Sequence, residues 1–249
     1  MPIALAVYNL KGGVGKTAAA VNLAYLAAAE GYRTLLWDLD PQGAASFYLR
    51  VDEPEGESPD LWLKAKHFHE RIRGSDYANL DVVPASLALR HLDVELAGRK
   101  HARTRLSRLI EGLPEQYDLI VLDCAPSLSF TSDNLFALAN YVLVPVIPTQ
   151  LSIRAYKQLE PFTRRPDQLL PFFSMVDRRR RLHRDLIVEF AREHDETLER
   201  YVPYASDVEK MGEYRAPIEV YARGSLGARA FRGLWTALKS RIDFDARVG

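Results

Sequence analysis

Seven residues, Lys11-Gly12-Gly13-Val14-Gly15-Lys16-Thr17, constrain this chain more than any other stretch. An apolar run over residues 3–8 precedes them and an alanine-rich segment over 17–30 follows, so the local order is strand, loop, helix. A loop so placed is built to bind phosphate. Gly12, Gly13 and Gly15 lack a β-carbon, which lets the backbone wrap phosphate oxygens with its N–H groups turned inward. The N-terminus of the following helix adds a partial positive charge facing the same oxygens. Lys16 is placed to reach the β- and γ-phosphates of a nucleotide and Thr17 to offer its hydroxyl to Mg2+, with Val14 and Ala18 completing the cradle. A glycine-rich turn with two solvated lysines would not require the strand before it and the helix after it.

The rest of the chain repeats that alternation. Short apolar runs at 3–8, 34–37, 80–83, 119–122, 141–144 and 172–175, with a shorter one near 201–202, are separated by helical segments. That is the pattern of a mostly parallel, twisted sheet flanked by crossover helices, the α/β class. Gly31 suits the end of the first helix. Residues 86 to about 113 read as helical and leucine-rich, and residues 52–60 as an acidic, proline-containing loop. A chain of 249 residues suits one large domain over 1–249. Lys+Arg and Asp+Glu are both 33, so contact with a polyanion must come from a local patch. The one cysteine, Cys124, excludes a disulfide within the chain and a metal site built on cysteine pairs. With no signal segment and no apolar run of about 18 residues, a cytoplasmic location is expected.

Two further blocks carry acids at strand ends. Asp38-Leu39-Asp40-Pro41-Gln42-Gly43 follows the second run, at the C-terminal end of a parallel strand, where open α/β sheets bind ligands. The run from Asp118 ends at Asp123, and an apolar run ending in Asp can hold the Mg2+ shell opposite the loop threonine. Cys124 beside it reads as a small buried residue, since no base accompanies it.

With its additional lysine at the front, the loop is a deviant Walker A form and resembles that of the ParA/MinD superfamily of partition and division-site ATPases. The Asp-x-Asp-Pro-Gln-Gly block resembles that family's second nucleotide motif. The fold so implied is a single-domain P-loop NTPase. The resemblance implies that Lys11 crosses to the nucleotide of a partner subunit and that Asp40 orients the attacking water, giving Lys11, Lys16 and Asp40 as the catalytic set. It implies Thr17, Asp38 and Asp123 around Mg2+. Ser174-Met175-Val176-Asp177-Arg178 and Val202-Pro203 resemble segments beside the purine, so Met175, Asp177 and Pro203 join the nucleotide set. Cys124-Ala125, Gln150 and Tyr204 depart from the common pattern.

In the ParA branch, which the stretch from Ala216 to Phe231 also fits, these parts make a slow Mg2+-dependent ATPase. It dimerises with ATP, binds nucleoid DNA non-specifically and is stimulated by a ParB-like or cargo-adaptor protein. Arg179 and Arg181, within the basic run 178–184, and Arg215 and Arg223 are the candidates for DNA. The first strand starts at residue 3, so no helix-turn-helix is expected ahead of the loop and sequence-specific operator binding is not expected. A MinD-like membrane anchor would use Phe231, Leu234, Trp235, Leu238 and Ile242, which share a helical face. Asp243 and Asp245 follow where an interfacial helix needs basic residues, so core packing is expected instead. A metabolic P-loop ligase is the other alternative, although no substrate-binding set for one is visible.

Overall fold

The centre of the sheet is apolar at consecutive rather than alternate positions, the mark of strands covered on both faces. Strands β1 (Ile3–Val7), β2 (Thr34–Asp38), β5 (Leu119–Asp123) and β6 (Tyr141–Val146) are buried at every residue. With β3 (Arg73–Gly74), β4 (Leu80–Val83) and β7 (Leu169–Phe173) they form a seven-stranded sheet in the order β3-β4-β2-β5-β1-β6-β7. Among the described residues only the β3–β4 pair is antiparallel. The computed structural model describes residues 2–52, 64–97, 102–110, 113, 116–126, 130–165 and 167–248.

The crossover from β1 leads to β2 on one side, and that from β5 leads to β6 on the other. Such a reversal opens a crevice at the carboxyl ends of the strands. Register then fixes what meets there. Val7 pairs with Asp123, and Asp38 pairs with the same Asp123, so the phosphate loop and two acids leave the sheet side by side.

The first helix, Lys16–Ala29, is apolar nearly all round because it is covered nearly all round. Ala19, Ala20, Ala24 and Ala27 are fully buried and let it approach both the sheet and the helix Leu226–Ile242. Phe231, Leu234, Trp235, Leu238 and Ile242 of that last long helix are buried in the same layer, as core packing requires. Gly31 ends the first helix with φ 100.

Three sequence expectations need correction. The strand read at 172–175 is Leu169–Phe173: Pro171 argues against a strand, yet β7 is an edge, where proline is tolerated. Met175, with φ 55, lies beyond it in a turn. No strand forms at 201–202; those residues run beside β7 through the bonds from Val202 N to the Phe173 carbonyl (2.8 Å) and from Val176 N to the Val202 carbonyl (3.1 Å), with one bridge between Val176 and Pro203. The helical stretch from 86 is divided into Leu87–His91, Leu92–Ala97, Ala102–Thr104 and Arg105–Ile110, which still bury Leu89, Leu92, Leu96, Leu106 and Leu109. Of the acidic loop 52–60, residues 53–60 lie outside the described residues.

Candidate functional site

The phosphate loop is held from below by a buried asparagine. Asn9 donates from Nδ2 to the Pro145 carbonyl (2.8 Å) and accepts from the Lys11 amide at Oδ1 (2.9 Å). The last pair between β1 and β6 is Val7–Leu143, so Pro145 lies past the β1 ladder and its carbonyl is free to take this bond. Gly13 and Gly15 adopt φ 69 and φ 90. A β-carbon on Gly15 would also stand 3.0 Å from Ser174 Oγ, so backbone and space both demand glycine there. Gly12 and Gly13 are exposed, Val14 is buried, and Thr17 and Ala18 are half-buried.

The two lysines of the loop occupy different environments. Lys16 is 7% exposed and its ammonium donates to the Lys11 carbonyl at 3.2 Å. Burial lowers its pKa, and the Asp123 carboxylate opposes that shift. Lys11 stands half-buried at the loop's front.

Opposite lie the acids. Asp38 accepts from the Ser46 amide (2.9 Å) and hydroxyl (2.7 Å) at one oxygen and from the Asp40 amide (3.2 Å) at the other. Ser46 Oγ in turn accepts from the Ala85 amide at 2.9 Å. Burial nevertheless raises the Asp38 pKa to about 6, against the lowering effect of Ser46. Asp123 is fully buried with neither carboxyl oxygen in a well-formed hydrogen bond, although the nearby Thr17 hydroxyl favours its charged form. Burial, reinforced by the Asp38 carboxylate, pushes the Asp123 pKa well up. Two buried acids with one pair of oxygens orphaned fit a divalent cation, which Thr17 and Asp123 could hold. Among the described residues no group of three or more His, Cys, Asp or Glu could hold a metal by itself. Mg2+ needs no such group, since it takes one or two carboxylates together with substrate phosphates. Asp40 is half-buried and accepts from the Gln42 amide at 3.0 Å. Cys124 donates weakly to the Leu122 carbonyl (3.4 Å), and burial raises its pKa, so the thiol stays protonated and unreactive.

Behind the loop, Gly15, Ala18, Met175, Val202, Pro203 and Phe231 line a small cavity of about 50 Å3. Met175 and Pro203 are thus brought to the loop. Asp177 is not: its carboxylate pairs with Arg179 (3.1 Å) and Arg180 (3.8 Å) and lines a neighbouring cleft of about 600 Å3 with Arg178 and Arg229. Short-range pairing within 177–180 turns it outward.

The four arginines assigned to DNA divide in the same way. Arg179, Arg181 and Arg223 are exposed and pair with Asp177, Asp185 (3.4 Å) and Glu219 (3.1 Å). Arg215 is half-buried and lies across the exposed Phe47, with Nε donating to the Phe47 carbonyl at 3.0 Å and the guanidinium 4.5 Å from the Phe47 ring centre. Sequence reading missed Asn9, Ser46 and Ser174. A polar residue directly after a buried strand was a signal for Asn9; nothing in the spacing marked the other two.

A protein-family model described as an AAA domain matches residues 3–168. The chromosome-partitioning ATPase Soj of Treponema pallidum is 31% identical over 248 residues, covering 95% of this chain and 97% of that protein. A plasmid partition protein of Borrelia burgdorferi, solved with AMPPNP, superposes with a TM-score of 0.80 at 21% identity over 97% of this chain and 100% of that one, a likeness of fold. Cobyrinic acid a,c-diamide synthase of Mycobacterium smegmatis, solved with ADP and magnesium, gives a TM-score of 0.80 at 26% identity over 98% of this chain and 96% of that one. No helix among the described residues is long and apolar enough to cross a membrane.

Proposed function

The chain belongs to the AAA-domain family and, within it, to the Soj/ParA partition ATPases, and from that membership we propose an ATP-driven dimerisation switch that holds nucleoid DNA regardless of sequence and positions a cargo. Lys16 and the amides of Gly12, Gly13, Val14 and Gly15 hold the phosphates of ATP with Ala18 completing the cradle, while Met175 and Pro203 flank the purine. Thr17 and Asp123 hold Mg2+; Asp38, whose oxygens are already occupied by Ser46 and the Asp40 amide, contributes through its charge. When bound there, Mg2+ offsets charge on the β- and γ-phosphate oxygens. Asp40 orients the attacking water.

The contrast between the lysines carries this reading: Lys16 is buried and turned back onto its own loop, while Lys11 remains half-exposed at the front. ATP brings roughly four negative charges to a subunit interface, where an ammonium offered by the partner offsets part of them. Loss of the γ-phosphate removes that differential stabilisation, and the dimer loosens. Weak surface arginines, Arg179, Arg181 and Arg223, become bivalent on dimerisation, so the second contact forms at high effective concentration. A ParB-like or cargo-adaptor partner accelerates an otherwise slow turnover.

Sedimentation with and without ATP tests the switch. Wild type shifts from monomer to dimer with ATP, and Lys11→Ala does not, while still binding nucleotide. Normal dimerisation and turnover by Lys11→Ala would remove the basis for the proposal. Likeness to the diamide synthase favours a second reading, a ligase that spends ATP on a carboxylic acid. A ligase would hydrolyse little ATP without its co-substrate and would not be retained on DNA by ATP.

A further inference from the structure

Two arginines outside the nucleotide loops have left-handed backbone, and each reaches toward the other. Arg50 has φ 58 and Arg215 φ 46, a region that bulky side chains rarely occupy. Arg215 follows the short helix Met211–Tyr214, and Arg50 lies two residues past the short helix Ala44–Tyr48. Arg50 donates to the Arg215 carbonyl from Nε and to the Tyr214 carbonyl from a terminal nitrogen, both at 3.1 Å. Its other terminal nitrogen faces Asp76 at 3.6 Å. Arg215 answers with Nε on the Phe47 carbonyl and its guanidinium over the Phe47 ring. Helix ends leave carbonyls unpaired and partially negative. Here Arg50 takes the Tyr214 and Arg215 carbonyls at the end of one helix, and Arg215 adds a second donor to the Phe47 carbonyl, which already accepts from the Arg50 amide at 3.3 Å.

What this exchange holds in place is the hydrolysis loop. The helix Ala44–Tyr48 carries Ser46, the partner of Asp38, and opens at Gly43, whose amide donates to the Asp40 carbonyl at 2.9 Å. Five residues are too few for a helix to persist without tertiary support. On its other side the segment following Met211 is fixed by Asn22 of the first helix, which donates to Met211 Sδ (3.3 Å) and accepts from the Ile218 amide (2.9 Å). The strap 211–218 therefore ties the helix that opens at the phosphate loop to the helix that closes the Asp38–Asp40 loop.

We infer that Arg50 and Arg215 form a reciprocal clasp that positions Asp38 and Asp40 for ATP hydrolysis. Arg215 thereby belongs to the hydrolysis machinery rather than to a DNA surface. The inference rests on the assignment of Asp40 to hydrolysis, and its test separates the two.

Arg50→Ala, Arg215→Ala and the double variant are compared for ATP turnover and, without nucleotide, for amide hydrogen exchange. Each single change lowers kcat about tenfold with KM for ATP moved less than twofold, and the double variant is little worse than either, as for residues acting as one unit. Amides over 43–49 exchange at least tenfold faster, while those of Lys16–Ala29 keep their wild-type rates. Unchanged exchange over 43–49, or faster exchange with an unchanged kcat, overturns the clasp. Should wild type itself fail to turn over ATP, the assignment of Asp40 falls, and exchange alone still decides whether the clasp holds the loop. Phe47→Leu removes the ring and leaves both arginines; if the alanine variants do not fold, it must still speed exchange over 43–49 several-fold, and wild-type exchange in it overturns the inference.

Discussion

The phosphate-loop crevice and the arginine-rich run after β7 both concentrate charge, but they treat it in opposite ways. In the crevice Lys16, Asp38 and Asp123 are buried and each is aimed by a neighbour or left open for a ligand. Along 178–184 the side chains of Arg179 and Arg181 are 93% and 86% exposed, and their acids sit within four residues in sequence. Burial makes a charge expensive to misplace and strong when matched; exposure makes it cheap, exchangeable and sensitive to salt. One region can therefore do chemistry with a few groups, whereas the other can act only through number.

The sharpest way to break that contrast is to remove a buried charge. Lys16→Ala should weaken ATP binding about a thousandfold, the scale for deleting one partner of a desolvated, charge-assisted contact; titration with a fluorescent ATP analogue reads it, and a change under tenfold would show that the buried ammonium does not face the phosphates. Asp40→Ala should lower turnover about a hundredfold, in the range of positioned acid–base groups, while the ATP-bound dimer persists and stays longer on DNA. Unchanged turnover would make Asp40 a turn residue. Ser46→Ala strips both the hydroxyl donor to Asp38 and the acceptor for the Ala85 amide, and should cost about 1–3 kcal/mol of stability in urea unfolding. The smallest effect belongs to the surface: Arg181→Ala or Arg223→Ala should each weaken DNA binding by a few-fold at low salt, and the difference should shrink as salt rises. A loss of orders of magnitude from either would mean that a single surface arginine is a specific contact.

The sheet was legible because its strands are buried on both faces and their apolar runs are continuous; β1, β4 and the cores of β2, β5 and β6 follow directly. Edges were harder. Arg73–Gly74 pairs through backbone with no apolar residue to announce it, and Pro171 masks β7. Within the site, the residues that converge on the crevice from the loop and the strand ends lie in short motifs and could be read, because phosphate binding imposes spacing along the chain. Residues that aim them could not: Ser46 meets Ala85, Ser174 meets Gly15 and Arg215 meets Phe47 across tens to more than a hundred positions. Asp177 shows the converse, a motif residue whose carboxylate is captured by arginines a few positions along.

The sheet order has a consequence for how the molecule comes into being. β5 lies between β1 and β2, although it is made some eighty residues after β2. While the chain is being synthesised, β1, the phosphate loop and β2 emerge with the slot between the two strands vacant. Neither the Val7–Asp123 nor the Asp38–Asp123 pairing exists until Asp123 has left the ribosome. A half-made chain thus has the glycine loop without the acid that faces it, and closing the slot demands a long-range pairing of the slow kind. The acid that faces the loop arrives only with the insertion of that central strand, and Pro145, Met175 and Pro203 come later still.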